Sequence, residues 1–374
     1  MVKQSPNSPG AGQQVLKAVG RLSDRFAYPL RLSHYVELVN PLWATHAMQA
    51  RVERVWDETK DARTLTLRPG LNWRGFRAGQ HLRLGIPVGG MHHTRTYTIS
   101  SHPERDDGCF TITVKAIQGG TISHHLVRKI RVGDYLPIGL PQGDFHLPDA
   151  QPVSPLFITA GSGVTTAMSM LRSMIAQERL VDSVHIHYAP HEFDVIFGQE
   201  LQQMAREHPR YAFHPVYTNE YGQQKQSKGH FSAEQLDRLC PDWRAREVYA
   251  CGPQPLLAAL EQHIGQAGRT RHLHIERFRA ALAEVPAEAI GGRVSFAKIG
   301  LQIEADARTN LLRVAENAGM SPPHGCRMGI CHACDARLIS GCVRDLRTGK
   351  VHNEAGSIIQ PCICATAGDC ELDL

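Results

Sequence analysis

Cys326, Cys331 and Cys334 fall inside the nine residues CRMGICHAC, at the spacing C-x4-C-x2-C. Three thiols this close suit a structural zinc, a redox disulfide or an iron–sulfur cluster, and each needs different company. A zinc site pairs two short knuckles, and none follows Cys334; His324 and His332 belong to the same loop. A redox C-x-x-C opens a helix after a strand, whereas Cys331-His-Ala-Cys334 is embedded in a longer loop. A [2Fe–2S] cluster takes C-x4-C-x2-C with a distant fourth cysteine. Cys362 supplies one, with twenty-seven residues between it and Cys334, and Cys364 is its rival. Thiolates are soft donors that stabilise both oxidation states of iron. Gly325 and Gly329 leave room for backbone N–H groups to face the cluster sulfurs. Cys109, Cys240, Cys342 and Cys370 have no partner in sequence and read as structural.

A chain of 374 residues exceeds one ordinary core, so two or three domains are expected. Its 42% hydrophobic and 21% charged residues give a soluble, globular balance. No apolar run reaches the length of a membrane span, and MVKQSPNSPGAGQQ at the N-terminus lacks an apolar signal core. The expected location is cytoplasmic, where ten cysteines would not form disulfides. A net charge of +5 without a basic run interleaved with aromatics argues against nucleic acid as a partner.

Residues 1–45 read as an N-terminal extension, polar at first and then mixed apolar and basic. Over 46–150, short alternating stretches (MQARVERVWDE, ARTLTLRP, GQHLRLGIP, TRTYTIS, CFTITVKAI) predict a β-barrel or sandwich. Residues 151–278 alternate strands and helices (PLFITA, SVHIHYAP, YAFHPVYT, EVYACGP), which predicts an α/β domain with a parallel sheet. A small, Pro- and Gly-containing stretch, 279–292, is the expected linker. Residues 293–374 begin with two strand-like pieces and a helix with apolar Leu311, Leu312, Ala315 and Ala318, ahead of the cysteine loop.

Arg95-Thr96-Tyr97-Thr98 ends a strand, with Arg95, Tyr97 and Ile99 on one face and Thr98 and Ser100 on the other. A guanidinium suits a diphosphate, a tyrosine can lie against an isoalloxazine, and a hydroxyl can bond a ring nitrogen. The plainer reading is an edge strand with one exposed arginine. Gly119-Gly120-Thr121-Ile122-Ser123 then opens a helix, and glycines ahead of a helix N-terminus make a phosphate cradle. Gly161-Ser162-Gly163-Val164-Thr165 follows a buried strand and opens another helix, the position of a dinucleotide phosphate or of a tight strand–helix turn.

These motifs, with GDYLPIGLPQGDFHL, resemble the ferredoxin–NADP reductase superfamily over residues 46–374. The resemblance implies that Arg95 and Ser123 contact the flavin pyrophosphate, that Tyr97 packs on the ring and that Thr98 lies near its hydride-accepting nitrogen. It places Cys251-Gly252-Pro253 at the nicotinamide, with Cys251 near the reactive carbon; a small buried hydrophobe is the plainer reading of that thiol. His274-Ile-Glu276-Arg-Phe278 is similar to the family's H-x-E-x-F, whose glutamate and aromatic lie near the flavin edge. Thr166 stands where the family has proline. The C-terminal segment looks like a plant-type ferredoxin of β-grasp fold, which implies Cys362 as the fourth ligand.

The resemblance implies hydride transfer from NAD(P)H to flavin and single electrons through the cluster to an acceptor. FAD is the expected flavin and FMN the alternative. NADPH is the expected donor over NADH, from a mixed set of His191, Glu192, Asp194, Lys225 and Lys228. Asn40-Pro-Leu-Trp43 ahead of the three domains resembles bacterial reductases that serve membrane fatty-acid desaturases, which would bring the protein to the inner membrane face. An aromatic-ring dioxygenase or other monooxygenase is the alternative acceptor. Arg327, Met328 and His332 are expected to face it. A non-catalytic redox sensor would lack the hydride machinery that Arg95, Tyr97, Thr98 and Cys251 supply.

Overall fold

The computed structural model describes residues 37, 39–44, 48–88, 91–117, 120–148, 154–219, 230–278, 285–286, 288–325, 327, 329 and 332–374. Near the N-terminus, Asn40 caps a single 3-10 turn, Pro41–Trp43, by accepting from Leu42 N at 3.0 Å. That turn is held on the first unit, where Leu71 N donates to Leu42 O at 3.1 Å. Gly70 permits the contact, since a Cβ there would lie 2.5 Å from Leu42 O.

The first unit contains β1 (Gln49–Thr59), β2 (Ala62–Pro69), β3 (His81–Val88), β4 (Met91–Thr98), β5 (Phe110–Lys115), helix α1 (Thr121–Arg128) and β6 (Tyr135–Pro137). Alternation in sequence becomes a one-sided face: Leu65 and Leu67, Leu82, Leu84 and Ile86, and Phe110 and Ile112 share one core. Each such side chain contributes about 1.5–3 kcal/mol when fully buried. The predicted barrel does not close as a continuous ladder. Four strands run β5-β2-β1-β6, and β3-β4 form a separate pair. Isolated bridges link the two, at His81–Gln142, Leu84–Ile138 and Ile99–Ile112. The break has a local cause. β6 ends at Pro137, which has no N–H to donate, and its ring packs against Gly85 of β3.

The second unit has β7 (Pro155–Ala160), α2 (Val164–Ala176), β8 (Ser183–Ala189), α3 (Gly198–Glu207), β9 (Tyr211–Tyr217), α4 (Ala233–Leu239), β10 (Glu247–Cys251), α5 (Gln254–Gln266) and β11 (Leu273–Glu276). All five strands are parallel, in the order β11-β10-β7-β8-β9. Burial on both faces explains why β7 reads as a nearly continuous apolar run, and β8 is buried along its whole length although it carries Ser183, His185 and His187. The order reverses at β7, so the ends of β7 and β10 flank the crevice where ligands bind in such sheets.

Two histidines interrupt that core. His185 and His187 are fully buried, and both ring nitrogens facing Thr159 lie 2.7 Å from its hydroxyl. His185 Nδ1 is 2.9 Å from the Tyr211 hydroxyl, while His187 Nε2 has no protein partner. Burial lowers both pKa values, that of His187 to about 3. Both rings are therefore neutral in the fold, whereas the unfolded chain protonates them near pH 6.5. Their stability is full above that pH and drains away as pH falls toward 3. From pH 7.5 to 5.5 the pair should cost the fold about 2.5 kcal/mol. Urea unfolding of wild type and His187→Gln at the two pH values checks this, and the variant should lose one proton from the slope.

The third unit has β12 (Gly292–Phe296), β13 (Leu301–Ala305), α6 (Leu311–Asn317), β14 (Ala336–Asp345), β15 (Val351–His352), β16 (Ile358–Ile359) and β17 (Cys364–Leu372). The sheet runs β13-β12-β17-β14-β15, with β12 parallel to β17 and β16 beside β14. α6, capped by Asn310, packs Leu311, Val314 and Ala315 onto it.

Candidate functional site

β4 pairs with β3 along its whole length, which sets Leu82 opposite Tyr97 and His81 opposite Thr98. The Tyr97 ring packs against the apolar core, and burial pushes its phenol pKa up. Arg95 is half-buried and donates to Thr94 O at 2.8 Å. The Thr96 and Thr98 hydroxyl oxygens are buried and unpartnered, although they lie two residues apart on one face of the strand. Buried hydroxyls left without bonds cost about 1–3 kcal/mol each, so this face awaits a polar ligand. It fits the polar edge of a flavin.

At the start of α1 a Cβ on Gly120 would lie 2.5 Å from Ile117 Cγ1 and 2.7 Å from Ser123 Oγ. Ser123 donates to Gly120 O at 3.0 Å and accepts from Ile117 N at 3.2 Å, so its hydroxyl shapes the loop. Thr121 is exposed at the helix start; Gly119 lies outside the described residues. An open groove here is lined by Gly120, Thr121, His124, His125, Arg128 and Lys129. Its basic character and the free N–H groups of the helix suit a diphosphate.

In the second unit Gly161 has φ 54° and starts the turn into α2. Thr165 and Thr166 are buried and bond back to Ser162 O and Gly163 O, each at 2.9 Å. Thr165, expected at a phosphate, thus has its hydroxyl inside the first turn. Thr166 also bonds the Cys251 thiol, which is fully buried and pushed well up in pKa by that burial. Gly163 is forced by contact: a Cβ there would lie 2.1 Å from Cys251 O. Gly252 packs on Leu256 and Ala160, and Pro253 caps α5. Glu276 is the register partner of Cys251, while Phe278 is 38% exposed. His274 stacks on Tyr249 and bonds Glu247 at 2.9 Å, a role within the sheet edge.

Asp194, one of the mixed set read for the nucleotide, is a clasp between units. It is 5% exposed, accepts from His191 Nδ1 at 2.9 Å and pairs with Lys60 at 3.4 Å. Burial raises its pKa, but His191 and Lys60 outweigh that and hold it low. Lys225 and Lys228 lie outside the described residues.

Two junction residues escaped the sequence reading. Ser169 donates to Ser101 O at 2.8 Å, and Arg172 donates to Ser100 O at 2.7 Å. Arg172 is itself gripped by both oxygens of Glu200, at 2.8 and 2.6 Å, and lies over the Phe197 ring. Both side chains come from α2 and hold the segment just after Thr98. The faint signal was a serine and an arginine three apart on a mostly apolar helix. Arg172→Ala should slow flavin reduction by NAD(P)H about tenfold by loosening this register, with flavin content retained; anaerobic stopped-flow absorbance checks it.

In the third unit Cys334 and Cys362 are 3% and 5% exposed and pack together with Leu312 and Ile363. A hydrogen bond from Cys362 pulls the Cys334 thiol down to about 7. Cys364 opens β17 and packs into the main core, where burial pushes its thiol up to about 12. The structure packs Cys362 with Cys334 and packs Cys364 into the main core. Cys326 and Cys331 lie outside the described residues, as does Met328. Arg327, Gly329 and His332 all have left-handed backbone, with φ 57°, 71° and 55°. A Cβ on Gly329 would strike Arg347 and Ile363, and its carbonyl accepts from Arg347 at 3.0 Å. Two buried thiols under a tightly turned loop suit the soft donor set of an iron–sulfur cluster.

Arg327 does not reach outward as expected. It grips Glu316 of α6 with both guanidinium nitrogens, and it lies 2.8 Å from His324 Nε2. Its charge, with that of Glu316, bears on His93 and Arg95 of the first unit. His332 does stay at the surface, 68% exposed and 3.1 Å from Asp335. Of the four cysteines read as structural, Cys109, Cys240 and Cys370 are buried and Cys342 is partly exposed.

Comparison with known proteins agrees with this division. The oxidoreductase FAD-binding domain model matches residues 49–147, the oxidoreductase NAD-binding domain model 157–262, and the 2Fe-2S iron-sulfur cluster binding domain model 296–367. An NADPH oxidoreductase of Mycobacterium tuberculosis is 39% identical over 360 residues, 96% of this chain and 92% of the relative. A glycine betaine monooxygenase reductase subunit of Chromohalobacter salexigens is 30% identical over 87% of this chain and 94% of its own. The solved phthalate dioxygenase reductase shares the fold with a TM-score of 0.62 at 23% identity, over 88% of this chain and 98% of that one. The chain belongs to the ferredoxin-reductase superfamily of FAD, NAD(P)H and 2Fe-2S proteins. It is an NAD(P)H:acceptor oxidoreductase. Among the described residues no helix is long and apolar enough to cross a membrane.

Proposed function

We propose that this oxidoreductase takes electrons from NADPH and passes them to the terminal component of an oxygenase. The observation that carries the reading is the meeting of three cofactor regions at shared junctions. Thr98 and Cys251 face a common boundary through their register partners His81 and Glu276, and Arg327 of the cysteine loop bears on Arg95. When bound, the nicotinamide supplies hydride, the flavin splits the electron pair, and the cluster passes single electrons on.

In this reading Arg95 and the α1 N-terminus, from Gly119 to Ser123, hold the flavin diphosphate. Tyr97 covers the ring, and Thr96 and Thr98 bond its polar edge. The turn Gly161–Gly163 and the start of α2 take the nucleotide diphosphate, and Cys251, Gly252 and Pro253 bound the nicotinamide, with Phe278 at the flavin edge. Cys326, Cys331, Cys334 and Cys362 hold the cluster. The units span 46–150, 151–278 and 293–374, joined through 279–292. NADPH is preferred because the relative at 39% identity bears that name, and because Asp194 is already engaged with Lys60 and His191.

The oxygenase acceptor has more support than the desaturase, since relatives at 29–30% identity are monooxygenase reductase subunits. The desaturase is the second reading, resting on the resemblance of the segment Asn40–Trp43 alone. Reconstitution with purified oxygenase and desaturase components decides. Product from oxygenase alone supports the main reading, and product from desaturase alone replaces it. Anaerobic NADPH that fails to bleach flavin and cluster absorbance would sink both.

A further inference from the structure

The flavin and nicotinamide units meet at a histidine that no motif singled out. His81 opens β3 directly opposite Thr98, so the two side chains leave the same face of the ladder. Its backbone is pinned on the other side by Gln142, with N···O distances of 3.0 and 2.8 Å. The ring rests on Gly143, where a Cβ would lie 3.0 Å from its Cε1 and 3.1 Å from its Nδ1. From that seat Nδ1 lies 3.4 Å from Oε1 of Glu276, at the end of β11 in the other unit. The two side chains are 23% and 16% exposed, so their interaction is less screened than a surface pair.

A carboxylate beside a fully buried thiol carries a desolvation cost and needs a partner. Among the described residues the basic side chain within 4 Å of Glu276 is His81, at 3.4 Å. Glu276 is thus oriented by the flavin unit rather than by its own sheet. Other contacts across this junction include Ser169 and Arg172 of α2, Gln177 just after it, which donates to Glu104 at 3.3 Å, and Asp194 after β8. The His81–Glu276 pair alone among these joins the register partners of Thr98 and Cys251.

We infer that His81 is a positioning residue for hydride transfer: it holds the Glu276 carboxylate between Thr98 and Cys251 and so sets how the nicotinamide meets the flavin. The inference rests on the roles proposed above for Thr98 and Cys251. Wild-type holoenzyme that is not reduced by NADPH would sink those roles before His81 is at issue.

The test compares His81→Phe, His81→Gln, Glu276→Gln and the double variant His81→Phe/Glu276→Gln. Two measurements are made: anaerobic flavin reduction by NADPH, and the difference spectrum that NADP+ induces on oxidised flavin. His81→Phe should keep its FAD and its NADP+ affinity, weaken the difference spectrum, and reduce about tenfold more slowly. His81→Gln, whose amide can reach a carboxylate from the same position, should recover most of the rate. The double variant should be no slower than the slower single variant, because both remove one interaction. A wild-type rate and spectrum in His81→Phe, or losses that multiply in the double variant, would overturn the inference. If His81→Phe sheds its flavin, Glu276→Gln decides: a weakened NADP+ spectrum supports the pair and an unchanged one overturns it.

Discussion

Cys362→Ser is expected to remove the iron–sulfur absorption while leaving the flavin bands and their bleaching by NADPH intact. Cys362 and Cys334 are buried together with Leu312 and Ile363. A serine oxygen there is a hard donor with a far higher pKa than a thiol, so it neither ionises readily nor suits iron. The size change is small, so the fold around β17 should persist. Electron delivery to a one-electron acceptor should fall by at least about a hundredfold, because the flavin loses its outlet rather than its supply. Cys364→Ser is the matched control. That thiol belongs to the main core, so the variant should keep its cluster and lose about 1–2 kcal/mol of stability. Visible absorbance, paramagnetic resonance of the reduced protein and single-turnover kinetics check the pair. The opposite result, with the cluster lost only in Cys364→Ser, would move the fourth ligand.

Gly163→Ala should damage the nicotinamide site as deeply, for a different reason. Helix propensity favours alanine by about 1 kcal/mol, so chain-local reasoning expects stabilisation. Gly163 even has helical backbone, with φ −60° and ψ −18°. The new Cβ would sit 2.1 Å from the Cys251 carbonyl oxygen and 2.6 Å from its carbon. Both partners are backbone, one at the end of β10 and one at the start of α2, so neither yields alone. The gap between turn and strand must open, at a cost of about 1–3 kcal/mol, and Cys251 must shift with it. NADPH-dependent flavin reduction should fall about a hundredfold, with flavin and cluster retained. Gly161→Ala is the contrast. Nothing lies within 4 Å of its Cβ position, and only the left-handed φ of 54° opposes it, at about 1–2 kcal/mol. Calorimetry and stopped-flow reduction of both variants separate clash from conformational strain.

The two glycines show where sequence reading stops. G-x-G after a buried strand marked the turn, yet nothing in the spacing says which glycine is held by contact and which by conformation. Thr96 and Thr98 were legible as a strand motif, but their unpartnered hydroxyls exist because β3 and β4 bury that face. Asp194 stood among several candidates after the second strand, and nothing along the chain shows that Lys60, 134 positions away, pairs with it. The barrel expected from alternation stops at a short β6, where Pro137 and Gly85 meet.

By itself the sequence determined the order of the three units, the strand and helix rhythm within each, and the thiol spacing of the cysteine loop. These are local properties, written in neighbouring residues through periodicity, turn chemistry and ligand spacing. Tertiary structure alone decided the junctions: His81 on Glu276, Ser169 and Arg172 on the carbonyls after Thr98, Lys60 on Asp194, and Arg327 turned toward α6. Those contacts join residues up to 195 positions apart, as His81 and Glu276 are, through strand register and helix placement. No pattern along the chain encodes them, because each partner is an ordinary polar residue until the fold sets another beside it.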